Sequence, residues 1–229
     1  MRPIARMLDD RYRVVSMDLP GHGRTPEPQS AVGVQESAAL VAATIGRLDY
    51  PSVTLIGHSN GGRIALFMAS DERYEPLIRR LVLISPSGIR PQRSLKVRFK
   101  STVAKILKAP FLLLPGKLQP KGLAWLRDSF IWRMLGSSDY RALSGVMRES
   151  FVKTVNCFLE DRIARITVPT LIFWGDQDHD VSLSQIETLA RGIPDAGVVT
   201  LRGAGHYGYV DDPSTVSAAT RHFLESTSD

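Results

Sequence analysis

Residues 57–61 read Gly-His-Ser-Asn-Gly and sit at a seam between two kinds of sequence. Before them runs Val53–Ile56, apolar and β-favouring; after them runs an alanine-rich amphipathic stretch, Gly62–Ala69. A tight turn from strand to helix needs small residues at its crowded positions, which Gly57 and Gly61 are expected to supply. The serine between them, Ser59, is then forced outward with its hydroxyl beside a helix N-terminus. There the backbone N–H of Asn60 can donate to a developing oxyanion. G-x-S-x-G between a strand and a helix is the arrangement of a nucleophilic serine. The five residues alone would equally suit a glycine-rich helix entry with an N-cap serine; the flanking elements favour the nucleophile.

A serine hydroxyl needs a base. Five histidines are available: His22, His58, His179, His206 and His222. His222 falls within a helical pattern and is expected at the surface. His58, inside the turn, points away from Ser59 if the backbone is extended there. His22 lies in a loop and could line the site. His206, in the glycine-rich loop RGAGHYGYVDDP, can approach from another part of the fold and follows the serine in the order Ser…Asp…His. An acid must then hold the tautomer of the base. The stretch FWGDQDHDVS offers Asp176, Asp178 and Asp180, each of which could instead be a turn or capping aspartate.

These side chains require a scaffold that alternates strand and helix. Tyr12–Asp18 reads as a buried strand running into the turn LPGHGRTPEP. Val34, Ala38, Val41, Ile45 and Leu48 recur at helical spacing, predicting a helix over Val34–Leu48. Strands are expected at 53–58, Leu81–Ser85, Thr170–Gly175 and Gly197–Leu201, and helices at Asn60–Ser70 and after Asp212-Pro213. Ser184 and Glu187 are spaced as a capping box for a helix between the last two strands. Near-continuous apolar strands alternating with helices predict an α/β fold: a mostly parallel sheet covered by helices on both faces.

The bulk properties fit one domain. The chain has 229 residues, 43% hydrophobic and 23% charged, with a net charge of +6. The charge is uneven: residues 90–153 hold 14 Lys/Arg against 3 Asp/Glu, or +11, which leaves −5 elsewhere. That middle stretch also loses the strand–helix rhythm, so it reads as a separate helical unit. The single cysteine, Cys157, excludes an internal disulfide and a multi-cysteine metal site, and fits a reducing, cytoplasmic location. No stretch approaches 18 apolar residues, so no transmembrane helix is expected. The first residues lack an apolar h-region, so neither is a secretory signal. No metal cluster or nucleotide-binding fingerprint is visible, no nucleic-acid recognition motif accompanies the charge, and no cofactor is expected.

Four motifs, DLPGHGRT, LIGHSNGGRIAL, FWGDQDHDVS and GAGHYGYVDDP, stand in this order between Asp18 and Pro213. With them the chain resembles the α/β-hydrolase superfamily in its single-domain "alpha/beta hydrolase-1" form. The resemblance implies an α/β-hydrolase fold over residues 1–229 with a helical cap inserted at 88–162. It also implies an acid three residues beyond the strand-end glycine, which selects Asp178. The implied catalytic triad is Ser59, Asp178 and His206, with Asn60 N–H as oxyanion donor. A serine at this position argues against the dehalogenases and epoxide hydrolases of this fold. Esterase, lipase, amidase, C–C hydrolase and cofactor-free haloperoxidase chemistry remain open, since fold does not choose among them. The expected function is a serine hydrolase acting on a small-molecule ester or similar acyl bond. A hydrolase-fold protein that binds a ligand or partner with little turnover is the alternative.

The inserted stretch carries two further expectations. Leu95, Phe99, Val103 and Ile106 share one helical stripe, with Lys96, Lys100 and Lys108 off it: a lid helix with a solvated basic face, or a surface that touches anionic membrane. Phe111, Trp125, Phe130 and Trp132 read as cap core or as an acyl pocket. At the other end, the family's second oxyanion donor comes from a His-Gly loop ahead of the strand matched by Tyr12–Asp18. Only eleven residues precede Tyr12, without glycine or histidine. The expectation is that Met1 is not the natural start or that the copy is shortened and weak. In the simpler alternative, Tyr12–Asp18 pairs directly with the strand at 53–58.

Overall fold

A computed structural model describes residues 2–91, 110, 143 and 145–226. The chain divides into two units, residues 1–91 with 149–229 and residues 92–148. The first holds the sheet. Four strands lie side by side in chain order and all run parallel: β1 (Val53–His58), β2 (Ile78–Ile84), β3 (Thr170–Gly175) and β4 (Ala196–Leu201). The described helices are α1 (Arg2–Leu8), α2 (Val34–Ile45), α3 (Asn60–Ala69), α4 (Gly145–Val155), α5 (Leu183–Gly192), α6 (Gly208–Asp211) and α7 (Pro213–Glu225).

Alternate residues of the central strands feed two separate cores, which is why these strands are apolar throughout. Leu81 and Leu83 of β2, with Ile172 and Trp174 of β3, join side chains from α2, α3 and α5 in one cluster. Val82, Ile84, Leu171 and Phe173 point the other way, into a cluster with Ile4 and Leu8 of α1, Tyr209 of α6 and Val216 of α7. Period-2 alternation is thus present in the packing although hidden in the sequence, because both faces are covered.

Most expected elements form within a residue or two of their predicted bounds. The helix from Val34 ends at Ile45 and continues as turns to Leu48, whose N–H donates to Ile45 O. Asp212 caps α7 by accepting from Thr215 N at 3.1 Å, with Pro213 in the first turn. The capping pair of α5 lies two residues earlier than expected. Ser182, whose backbone is extended, is the N-cap, and its N–H donates to Gln185 Oε1 at 3.0 Å. Ser184 is already inside the helix, where its carbonyl accepts from Thr188 Oγ1.

Tyr12–Asp18 is a larger departure: it forms no strand and does not pair with β1. Tyr12 and Val14 lean on the second core, while Val15 and Met17 are 49% and 38% exposed. Without a neighbouring strand to satisfy its N–H and C=O groups, the segment keeps them in water and buries only alternate side chains. Helix α1, not foreseen from the sequence, fills the second core nearby through Ile4 and Leu8. The cap expected at 88–162 falls largely outside the described residues, as do Lys96, Lys100, Lys108, Phe111, Trp125, Phe130 and Trp132. Among the described residues no helix is long and apolar enough to cross a membrane.

Because Val15 and Met17 face solvent, lysine at either position should change unfolding free energy by less than about 0.5 kcal/mol. Leu83→Ala, which empties a fully buried position of β2, should cost about 2–5 kcal/mol. Urea denaturation measures all three. A Val15→Lys cost as large as that of Leu83→Ala would return Tyr12–Asp18 to a buried strand.

Candidate active site

In a parallel sheet every strand presents its C-terminal end at the same edge, and the chemistry-bearing residues gather there. Ser59 follows the last residue of β1 and precedes the first of α3. Its backbone is held at φ 50° and ψ −112°, in the positive-φ region that non-glycine residues seldom occupy. Neighbouring structure fixes that conformation. Ser59 N–H donates to Ile84 O at 3.1 Å, and Ser59 O accepts from Arg63 N and Ser87 N, both at 3.1 Å. Strain of this kind persists where surroundings over-determine it, and it turns the side chain outward. Asn60 opens α3, so its N–H has no acceptor within the helix.

Glycine is needed here, but not in the expected pair. A Cβ on Gly57 would stand 2.5 Å from Gly61 O and 2.7 Å from Gly62 N. A Cβ on Gly61 would meet nothing within 4 Å, whereas one on Gly62 would press Pro86 at 2.7 Å. Gly57 and Gly62 are therefore the crowded positions, and Gly61 matters through its carbonyl.

The three aspartates beyond β3 have separate fates. Asp176 is exposed and accepts from Gly203 N at 2.8 Å, pinning the loop after β4. Asp180 is exposed, with Oδ2 3.9 Å from His206 Nδ1. Asp178 alone is buried, its side chain 0% exposed, with Oδ2 3.0 Å and Oδ1 3.2 Å from His206 Nδ1. Its Oδ1 also accepts from Asp180 N at 2.8 Å and Val181 N at 3.0 Å. Burial pushes the Asp178 carboxyl up. The Val181 amide, the His206 ring, the Ser85 hydroxyl and the Asp180 amide outweigh it and hold the group below its ordinary value. Ser85, at the end of β2 with φ 43°, is wholly buried and acts on Asp178 from outside strict hydrogen-bond geometry.

Since an ionised carboxylate can only accept, the tautomer that fits a neutral His206 ring has its proton on Nδ1 and its lone pair on Nε2. His206 reaches this position because Gly175 ends β3. A Cβ there would lie 2.2 Å from Ala204 O and 2.5 Å from Gly205 O, so the loop carrying His206 closes onto bare backbone. Gln177 N–H to Ala204 O at 2.9 Å completes the contact.

The structure therefore brings Asp178 and His206 together. Among the described residues, Ser59 Oγ makes no hydrogen bond to His206; its neighbour His58 does meet that loop, with Nε2 2.9 Å from His206 O. His22 is exposed and hydrogen-bonded to Pro20 O, and His222 is exposed on α7. Nothing in the sequence marks Ser85 or the contact of His58 with the His206 loop, whereas Gly175 is marked by its strand-end position. Ligand atoms of Asp178, Asp180 and His206 lie within 4.8 Å of one another, a spacing a cation could use. The Asp178–His206 pairing occupies the same atoms.

Comparison with known proteins bears on this geometry. The family model described as alpha/beta hydrolase fold matches residues 1–213. The 2-(acetamidomethylene)succinate hydrolase of Mesorhizobium japonicum is 26% identical over 237 residues, covering 98% of this chain and 82% of the relative. Monoacylglycerol lipase ABHD6 of Mus musculus is 25% identical over 240 residues, covering 97% and 70%. The solved esterase EaEST of Exiguobacterium antarcticum superposes with a TM-score of 0.70 at 20% identity, covering 98% of this chain and 86% of its own; this likeness is one of fold.

Two outcomes follow from the packing and the charge. Gly57→Ala should cost about 1–3 kcal/mol by overpacking, while Gly61→Ala leaves the thermal midpoint close to wild type. The folded pKa of Asp178 lies below its ordinary value of 3.8. Its contribution to stability is thus complete above that value and lost as pH falls through the folded one. Asp178→Asn should accordingly flatten the acid limb of a stability–pH curve below about pH 4, measured by denaturant midpoints. An unchanged limb would mean that the carboxylate is not held by these donors.

Proposed function

Since the chain belongs to the alpha/beta hydrolase fold family, we propose that it is a serine hydrolase that cleaves an ester or similar acyl bond of a small molecule through an acyl-enzyme. The observation that carries the reading is the buried Asp178 paired with His206 Nδ1 at the sheet edge where Ser59 stands in a strained turn.

In this mechanism His206 Nε2, left with its lone pair, takes the proton of Ser59 Oγ as the oxygen attacks the acyl carbon. Asp178 holds Nδ1–H and stabilises the imidazolium that forms, without itself being protonated. The Asn60 N–H, at the positive end of α3, donates to the oxyanion of the tetrahedral intermediate. His206 then gives the proton to the leaving group, and water repeats the sequence to release the acid. A serine–histidine hydrogen bond commonly tightens only when substrate is bound, so its absence from the free protein is compatible with this assignment. The relative named as a monoacylglycerol lipase supports an ester as the first bond to try.

Ser59→Ala should abolish p-nitrophenyl ester turnover and fluorophosphonate labelling while leaving the thermal midpoint near wild type. More than a few per cent residual turnover would place the nucleophile elsewhere; a folded wild type that neither labels nor turns over would favour a ligand-binding protein instead. Asp178→Asn should cost about 10⁴ in kcat, whereas Asp180→Asn, an exposed group 3.9 Å from the ring, should change it little. A reversal of that order would reassign the acid.

A further inference from the structure

His58 is the last residue of β1 and is covalently next to Ser59, and its ring reaches into the loop that carries His206. Its Nε2 lies 2.9 Å from the backbone carbonyl of His206, across 148 residues of chain. Its ring centroid is 4.8 Å from that of His206, 5.1 Å from Tyr207 and 5.2 Å from Tyr209, the last edge-on. We propose that His58 is a positioning residue for the reaction: its Nε2–H clamps the His206 loop to the strand that carries the nucleophile. The proposal rests on the serine-hydrolase reading above.

A carbonyl oxygen can only accept, so the proton of a neutral His58 ring is fixed on Nε2. Burial pushes the His58 pKa down, which keeps that neutral form in place near pH 7. His206 is then held at two points, its carbonyl by His58 and its Nδ1 by Asp178. The remaining ring nitrogen is left with little freedom in where it aims. The loop has other anchors. Asp176 Oδ1 takes Gly203 N, Asp211 Oδ2 takes Gly205 N, and Ala204 O takes Gln177 N. These tie it to the end of β3 or to α6. Among the described residues the His58 bond is the one that joins it to β1. Because His58 and Ser59 are adjacent, the histidine loop cannot drift from the nucleophile without breaking this bond. Displacement of a catalytic group by about 1 Å costs about 10²-fold in rate. That sets the scale expected for losing the clamp.

The experiment compares wild type with His58→Gln, His58→Asn and His58→Leu in the full chain. A glutamine amide can set its N–H₂ near the position of Nε2; asparagine is too short, and leucine has no donor. Two readouts are taken: the rate of fluorophosphonate labelling of Ser59 together with kcat and KM for a p-nitrophenyl ester, and the downfield proton NMR signal of His206 Nδ1–H, identified by its loss in Asp178→Asn. His58→Leu and His58→Asn should lower labelling and kcat by about 10–100-fold with KM changed less than about threefold, and should broaden or erase the downfield signal. His58→Gln should keep both near wild type. A wild-type rate and signal in His58→Leu would overturn the proposal, and so would a glutamine variant as impaired as the asparagine one. If leucine prevents folding, the glutamine–asparagine contrast decides. If wild type fails to label at all, the serine-hydrolase reading falls, and the downfield signal across the same variants still tests the clamp.

Discussion

Asp178 is a carboxylate whose side chain has no solvent contact, and everything at the sheet edge is arranged around keeping it charged. An unpaired ion in that position would be neutralised or expelled. Here it is met by two backbone amides two and three residues ahead and by the His206 ring, and the buried Ser85 hydroxyl also favours its charged form. The two amides come from the turn that Asp178 itself nucleates. The other two groups come from distant parts of the chain, after β2 and after β4. The Asp178–His206 pair is thus a junction between three strand ends, and its orientation fixes which nitrogen of His206 is free to act as a base.

The parallel sheet makes that junction available. Strand order follows chain order, so the turns after β1, β2, β3 and β4 emerge side by side. Each then contributes one element: the strained Ser59 turn, Ser85, the Asp178 turn and the His206 loop. Close approach is the common requirement. Gly57 lets α3 start against its own strand, and Gly175 lets the backbone at Ala204–Gly205 lie directly on the end of β3. In both places the missing Cβ is occupied by a carbonyl oxygen of the segment it admits.

Two opposing cores then hold the sheet from either side. Leu83 and Trp174 face one, Ile84 and Phe173 the other, so the central strands cannot rotate or slip by one residue without exchanging their two sets of contacts. That rigidity is what a positioned site needs, since a loop such as 202–207 contributes little of its own. The backbone of Ser59 shows the same dependence: its φ of 50° is tolerated because Ile84, Ser87 and Arg63 all bond to it.

The sequence by itself determined whatever depends on neighbours along the chain. The four paired strands, the helices after β1 and before β4, the strained serine turn and the last helix, with Asp212 as cap and Pro213 in its first turn, are all set by apolar runs, spacing and turn residues, and they appear close to where the pattern puts them. The order of serine, aspartate and histidine was equally legible. Tertiary structure alone decided what depends on contacts between distant segments. Asp176, Asp178 and Asp180 are alike in local chemistry; the family resemblance picks Asp178 by its distance from Gly175, but only the fold shows it buried against His206 while the other two stay exposed. Tyr12–Asp18 has the composition of a buried strand yet forms none, because a strand exists only when a second one satisfies its backbone. Two overlapping capping boxes, Ser182…Gln185 and Ser184…Glu187, stand in the sequence, and the fold uses the earlier one. His58 looked like a bystander, facing away from Ser59. Only the fold, by laying residue 206 beside residue 58, gives its ring something to hold.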